Sequence, residues 1–293
     1  MAEARQEGRA DNDIGQDGGT GRHGLEPIAT MNLADRLKNL APSVVRRVSR
    51  RIKAAVRTWR NGRRTAREVF TQVYAENMWG VGAEDFYSGP GSNYEAARPY
   101  AEYVAGFITE NNIRSVVDLG CGDFRVGRLV ASCGVSYTGV DVVQPLVEDN
   151  NRRFGNESVC FQCLDIATDD LPDGELCLIR EVFQHVSNAQ IHAVLAKLNK
   201  YNYVIFTDVQ PDNPRGYSVN KDKTHGDTAR LIHGSYLRLD APPFNVKNVQ
   251  MVFETIPTYF ASFSPYGSSF KLRTFLWAPA AAKLSAGEAF ADA

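Results

Sequence analysis

Three carboxylates, a pair of glycines, an arginine and a histidine are the residues of this chain whose types and spacing suggest chemistry. Asp118 stands ahead of Gly120, Cys121 and Gly122 in the string SVVDLGCGDF, Ser115 to Phe124. Asp141, followed by Val142, comes 23 residues after Asp118. Asp165 and Ile166 come later, and REVFQHVSN then brings Arg180, Glu181 and His185 within six residues. Glycine lets the backbone approach a ligand closely and accepts positive φ. An acid in front of such a turn suits a ligand with a positive centre. An acid about 20 residues further on suits a ribose, whose hydroxyls donate to it.

A dinucleotide turn wants G-x-G-x-x-G, but the next glycine after Gly122 is Gly127, two positions too late. A phosphate loop wants Gly-Lys-Ser or Gly-Lys-Thr, which is absent. S-adenosylmethionine (SAM) fits better, because it carries an ammonium and a sulfonium and no phosphate. The string acid-x-Gly-x-Gly resembles the first motif of the class I SAM-dependent methyltransferases. The resemblance spans about residues 75–278 and extends to WG…SGPGS, YTGVDVV, REVFQHVSN and APPFN. Together these look like a bacterial subfamily of uncertain substrate.

That resemblance implies S-adenosyl-L-methionine as cofactor, with Asp118, Gly120, Cys121, Gly122, Asp141, Val142, Asp165, Ile166 and Arg180 around it. It implies that Asp165 accepts from the adenine amino group and that Ile166 packs on the ring. It also implies that Trp79 and the turn Ser88 to Ser92 fold over the cofactor as a lid. Arg180 either holds an anionic group or pairs with Glu181. His185 is the first candidate for a base that takes the acceptor's proton, because an unperturbed imidazole titrates near neutrality. Asp208, His225 and His233 are further candidates. No metal is expected: Cys160 and Cys163 form a lone C-x-x-C within VCFQC, which reads as a strand.

The elements that must position these residues read as follows. Strands are expected at Ser115–Leu119, Ser136–Val143, Ser158–Leu164, Glu175–Ile179 and Tyr203–Thr207, the last ending at Asp208. Helices are expected at Arg98–Asn111 with Pro99 in the first turn, Arg125–Cys133, Val143–Phe154 and Ala189–Lys200. A long irregular run, 209–247, precedes two strands at Val249–Thr255 and Lys271–Trp277. The fold class is therefore α/β: a doubly wound, seven-stranded sheet, mostly parallel with the last strand antiparallel, with helices on both faces.

The chain has 293 residues, 43% hydrophobic and 23% charged, as expected of a soluble protein with no spanning helix. Five cysteines, four of them in or beside expected strands and the glycine loop, suggest reduced thiols and a cytoplasmic setting. Charge is split. Residues 1–67 hold 15 Lys+Arg against 7 Asp+Glu, a net of +8, and the remainder hold 18 against 27, a net of -9. Residues 1–42 read as disordered and without a secretory signal, with Met31 as an alternative start. Residues 43–75 read as a basic amphipathic arm, 76–278 as the catalytic domain and 279–293 as a loose tail. Within the arm, a helix from Ser43 to about Asn61 carries the apolar stripe Val45, Val48, Ile52, Val56 and Trp59. Ten Lys/Arg and no acid lie between Arg46 and Arg67. An anionic membrane surface, a nucleic acid and the acidic body of the protein itself are the candidate partners of that arm.

No Asn-Pro-Pro-Tyr or Asp-Pro-Pro-Tyr string follows the fourth strand, which argues against methylation of a base amino group. The reading is O-methylation of a saccharide or lipid-linked glycan hydroxyl at the inner membrane face. The alternatives are a small-molecule or RNA methyltransferase, or a SAM-binding regulator without turnover.

Overall fold

The computed structural model describes residues 56, 58–257 and 269–279. Most of the basic helix expected from Ser43, and the tail beyond 279, lie outside them.

The core is a seven-stranded sheet in the order β3-β2-β1-β4-β5-β9-β8. Its parallel part comprises β1 (Ser115–Leu119), β2 (Ser136–Asp141), β3 (Val159–Cys163), β4 (Leu176–Arg180) and β5 (Tyr203–Pro211). β6 (Ser218–Val219) and β7 (Ser235–Tyr236) form a separate parallel pair. Among the described residues β8 (Val249–Thr255) pairs only with β9 (Phe270–Trp277), which runs antiparallel to both β5 and β8. Val116, Val117 and Leu119 are almost fully buried, as a central strand covered on both faces requires. Chain direction across the sheet reverses between β1 and β4. That switch opens a crevice at the carboxyl ends of the strands, where ligands of open α/β sheets bind.

Helix α1 (Ala66–Ala75) starts in a capping box between Thr65 and Glu68. It buries Val69, Val73 and Tyr74, the last in a cluster with Val143 and Leu146. The end of the segment expected as an arm therefore packs on the domain as a helix of its own. Helix α2 (Tyr94–Glu110) begins four residues earlier than the sequence suggests. Asn93 is its N-cap and Pro99 lies inside it, in the second turn. Tyr100, Val104, Phe107 and Ile108 face inward as the spacing requires. Helices α3 (Arg125–Ala131) and α4 (Gln144–Phe154) follow β1 and β2. Helix α5 (Asn188–Leu195) is capped by Ser187 through a capping box with Gln190. It ends before Lys200, and Leu198–Lys200 form a separate 3-10 turn.

β5 differs most from expectation. It does not stop at Thr207 but continues through Asp208 to Pro211, in register with β9 from Val204↔Trp277 to Pro211↔Phe270. Asp208 sits opposite Arg273 within the strand. The acid that looked like a strand terminus is an interior residue, because a distant partner strand extends the ladder.

Candidate active site

The glycine turn is built for close approach. Gly120 and Gly122 have φ of +78° and +55°. A Cβ on Gly122 would stand 2.4 Å from Ser88 Oγ, where nothing but glycine fits. Ser88 is latched over the turn. Its N–H donates to Asp123 Oδ2 at 2.9 Å, and the Asp123 N–H donates back to Ser88 Oγ at 2.8 Å. Tyr74 Oη meets the same Oγ at 2.8 Å. The segment preceding α2 is thus tied directly to the loop after β1.

All nine residues expected around a cofactor line one cavity of about 570 Å³, within the roughly 300–1,000 Å³ of small-molecule sites. These are Asp118, Gly120, Cys121, Gly122, Asp141, Val142, Asp165, Ile166 and Arg180, and His185, Trp79 and Ser88–Ser92 share its wall. Asp141 accepts from the N–H groups of Gly122 and Val143, both at 3.1 Å. Burial nevertheless pushes its pKa up to about 6, against those two bonds. Asp165 accepts from the Ala167 N–H at 2.9 Å while facing the cavity. Cys121 is a buried thiol whose pKa burial raises further.

The cavity wall carries charged groups of both signs, Asp118 and Arg180. Asp118, at the end of β1, is pushed up to about 6 by burial, countered by a hydrogen bond from Tyr137 and by the Arg180 charge. Arg180, at the end of β4, pairs with Glu181 Oε1 at 3.0 Å. Its guanidinium lies 5.3 Å from the Tyr100 ring centre. Arg180 Nε and Nη2 and Tyr100 Oη are buried and have no hydrogen-bond partner among the described residues. Buried donors are ordinarily paired, so this cluster fits an anionic group beside Asp118. An amino acid moiety, with its ammonium on Asp118 and its carboxylate on Arg180, matches that arrangement.

In the same cavity wall, His185 Nδ1 donates to the Gly226 carbonyl at 3.1 Å. That bond leaves Nε2 as the ring's acceptor. The imidazole lies 5.3 Å from the Trp79 ring, and Trp79 Nε1 donates to the Asp227 carbonyl at 3.0 Å. Burial, reinforced by Lys223, lowers the His185 pKa to about 3. The near-neutral pKa that made His185 stand out in the sequence is therefore absent from this environment. The ring is a neutral hydrogen-bond acceptor of fixed tautomer.

The other candidate bases are not in the cavity wall. Asp208 is 2% exposed and lies beneath the turn Phe183–His185. Burial raises its pKa to about 8, opposed by Arg230 and by the Gln184 N–H and reinforced by Glu181. His225 and His233 line a separate small cavity, and His233 Nε2 is taken by Thr228 Oγ1 at 2.9 Å. Burial lowers the pKa of both. Among the described residues no three His, Cys, Asp or Glu side chains converge on a metal site.

Two residues at or beside the site stand out less in the sequence, Gln184 within REVFQHVSN and Arg230 within the long irregular run. Gln184 is buried, with Nε2 directed at the carbonyl and carboxylate of Glu181 and Oε1 unpartnered among the described residues. Arg230 is fully buried and donates to the carbonyls of Phe183, Lys221 and Val186, which fastens the 221–230 segment under His185. Only the length of the irregular run after β5 hinted that it builds the site.

Residues 116–202 match the family model described as a methyltransferase domain. No curated protein matches the chain. Among solved structures, similar ones include 1,6-didemethyltoxoflavin-N1-methyltransferase of Burkholderia thailandensis, bound to 1,6-didemethyltoxoflavin and S-adenosylhomocysteine. It is 16% identical over 72% of this chain and 87% of its own, with a TM-score of 0.47. The N-methyltransferase NodS of Bradyrhizobium japonicum is 12% identical over 62% and 96%, with a TM-score of 0.42. Magnesium protoporphyrin IX methyltransferase of Synechocystis, with bound SAM, is 11% identical over 73% and 97%, also at 0.42. Likeness at this level says nothing about the methyl acceptor. Residues 116–202 carry a methyltransferase domain, and the cavity residues fit SAM as its cofactor.

Proposed function

We propose that this SAM-dependent methyltransferase transfers the methyl group to a hydroxyl of a saccharide or lipid-linked glycan. The observation that carries the reading is the fixed tautomer of His185, with Nδ1–H on Gly226 O and Nε2 left to accept. A hydroxyl can donate its hydrogen to Nε2 and keep a lone pair for the methyl carbon. Around it, Trp79 offers a ring, and Gln184, Gln190 and Thr228 offer neutral hydrogen-bonding groups, a combination that suits a polyhydroxylated ring.

The cofactor supplies an electrophilic methyl group on sulfonium. The protein supplies alignment and a dry, preorganised site. Asp118 and Arg180 would hold the amino acid end of the cofactor, Asp141 the ribose, and Asp165 and Ile166 the adenine. His185 would orient the acceptor hydroxyl by accepting its hydrogen bond at Nε2, and the proton that the hydroxyl loses would pass on to solvent rather than stay on a ring of such low pKa. Because the imidazole is held at a low pKa, it works by positioning more than by basicity.

The test is S-adenosylhomocysteine release with separate acceptor pools: saccharides and lipid-linked glycans, RNA, and small amines. Release with the first pool alone supports the proposal. Release only with RNA or amines overturns it. No helix of the described residues is long and apolar enough to cross a membrane.

A further inference from the structure

The end of the basic helix turns its apolar stripe outward. Residues 58–61 are helical. Asn61 is 5% exposed and anchors this end to the domain: its Nδ2 donates to the His225 carbonyl at 3.2 Å. Val56 and Trp59, three residues apart, are 58% and 61% exposed. Arg60 and Arg63 are exposed with them, and the Arg63 guanidinium lies 4.0 Å from the Trp59 ring centre. At its two described members, the stripe therefore does not pack on the acidic body. A polar residue makes the attachment instead.

An exposed indole and valine among arginines define the chemistry of a partner. The ten Lys/Arg between Arg46 and Arg67, with no acid among them, demand an anionic surface. A nucleic acid would satisfy the arginines but would leave Val56 and Trp59 in water. The headgroup boundary of an anionic bilayer satisfies both, since tryptophan sits at that depth and basic residues sit on the lipid phosphates. We infer that the face formed by Val56, Trp59, Arg60 and Arg63 seats this protein on an anionic lipid bilayer.

The seat is joined to the active site through a short path. Asn61 holds the His225 carbonyl, and the next residue, Gly226, is bonded twice to His185. Its N–H donates to the His185 carbonyl at 2.9 Å, and its own carbonyl accepts from His185 Nδ1. Ile232, 51% exposed, belongs to the wall of the large cavity. The cavity thus reaches the surface on the same 224–233 segment that holds the helix. An acceptor presented from the bilayer would enter beside the seat. The inference stands apart from the acceptor proposed above and survives if that acceptor is wrong.

Full-length protein is sedimented with vesicles of phosphatidylcholine alone and of phosphatidylcholine with phosphatidylglycerol. Binding to the second and release by high salt are expected, since salt screens exposed charge. Each arginine near such a surface is worth roughly a five-fold change in partitioning. Arg60→Glu with Arg63→Glu should therefore weaken binding by about 25-fold or more. Trp59→Ser should weaken it with charge unchanged, and its indole fluorescence should shift to the blue on binding in the parent protein. SAM affinity, read by calorimetry, should be the same in every variant and shows that the domain is folded. Equal binding to both vesicle types overturns the inference, as do variants that bind like the parent. Tight binding to a nucleic acid duplex with none to vesicles overturns it as well.

Discussion

Tyr137, on β2, donates its hydroxyl to Asp118 Oδ2 on the neighbouring strand β1 at 2.5 Å. The acid that heads the glycine turn is thus held in place from the strand beside it. Gly127 makes room for this contact, since a Cβ there would lie 2.1 Å from Tyr137 Oη. The glycine that falls too late for a dinucleotide motif serves the acid rather than a phosphate.

Tyr137→Phe should therefore weaken SAM binding in a pH-dependent way. Asp118 already titrates near 6, so affinity for the cofactor's ammonium should fall as the pH drops through about 6. Loss of the tyrosine's hydrogen bond, roughly 1.5–3 kcal/mol to a charged group, should move that fall upward by about one to two pH units. Calorimetric SAM titrations between pH 5 and 8 would show it. Superimposable profiles for the two proteins would refute the coupling.

Arg180 Nε and Nη2 are buried with no hydrogen-bond partner among the described residues. Arg180→Gln should weaken SAM binding by about 1.5–3 kcal/mol. Arg180→Lys should recover only part of it, because an ammonium does not reproduce the planar fork. Affinity unchanged in both variants would move the carboxylate-binding role elsewhere in the cavity.

Much of this site was legible in the sequence because local pattern and ligand chemistry coincide there. Val116 and Val117 before Asp118 mark a buried strand, and each later acid stands at or just past the end of its own strand. All nine expected cofactor residues line one cavity for that reason. What was not legible depends on contacts between distant segments. Nothing near Asp208 announces that β9, more than 60 residues later, extends β5 past it. The His185 environment likewise comes from Trp79, Gly226 and Lys223, which are remote in sequence, so burial overrode its ordinary titration. Pro99 suits a first helical turn by local pattern, yet the helix starts at Tyr94 and holds Pro99 in its second turn.

Asp208 should make stability fall with rising pH. Its folded pKa, about 8, lies above the unfolded value of about 3.9. The folded state therefore keeps a proton that the unfolded state loses. The stabilisation it gives is complete below pH 4 and is lost as the pH rises toward 8. Asp208→Asn should remove that dependence and raise stability at pH 9 by up to roughly 5 kcal/mol, with little change at pH 4. Urea melts at the two pH values would check this, and a variant less stable at both would contradict it.

His185→Ala should lower turnover more than SAM affinity, by roughly 10²-fold if the ring positions the acceptor. Because burial holds the His185 pKa near 3, kcat at saturating SAM should show no loss attributable to imidazole protonation between pH 5 and 8. A kcat that collapses below pH 6.5 in the parent protein and not in a His185 variant would restore a titrating base.

The most direct test follows the methyl group itself. The protein is incubated with SAM carrying a deuterated methyl group and a mixture of saccharide, lipid-linked glycan, RNA and amine acceptors, and the products are read by tandem mass spectrometry. Label on an oxygen of a sugar ring is the predicted result. Label confined to nitrogen or to RNA would contradict the account.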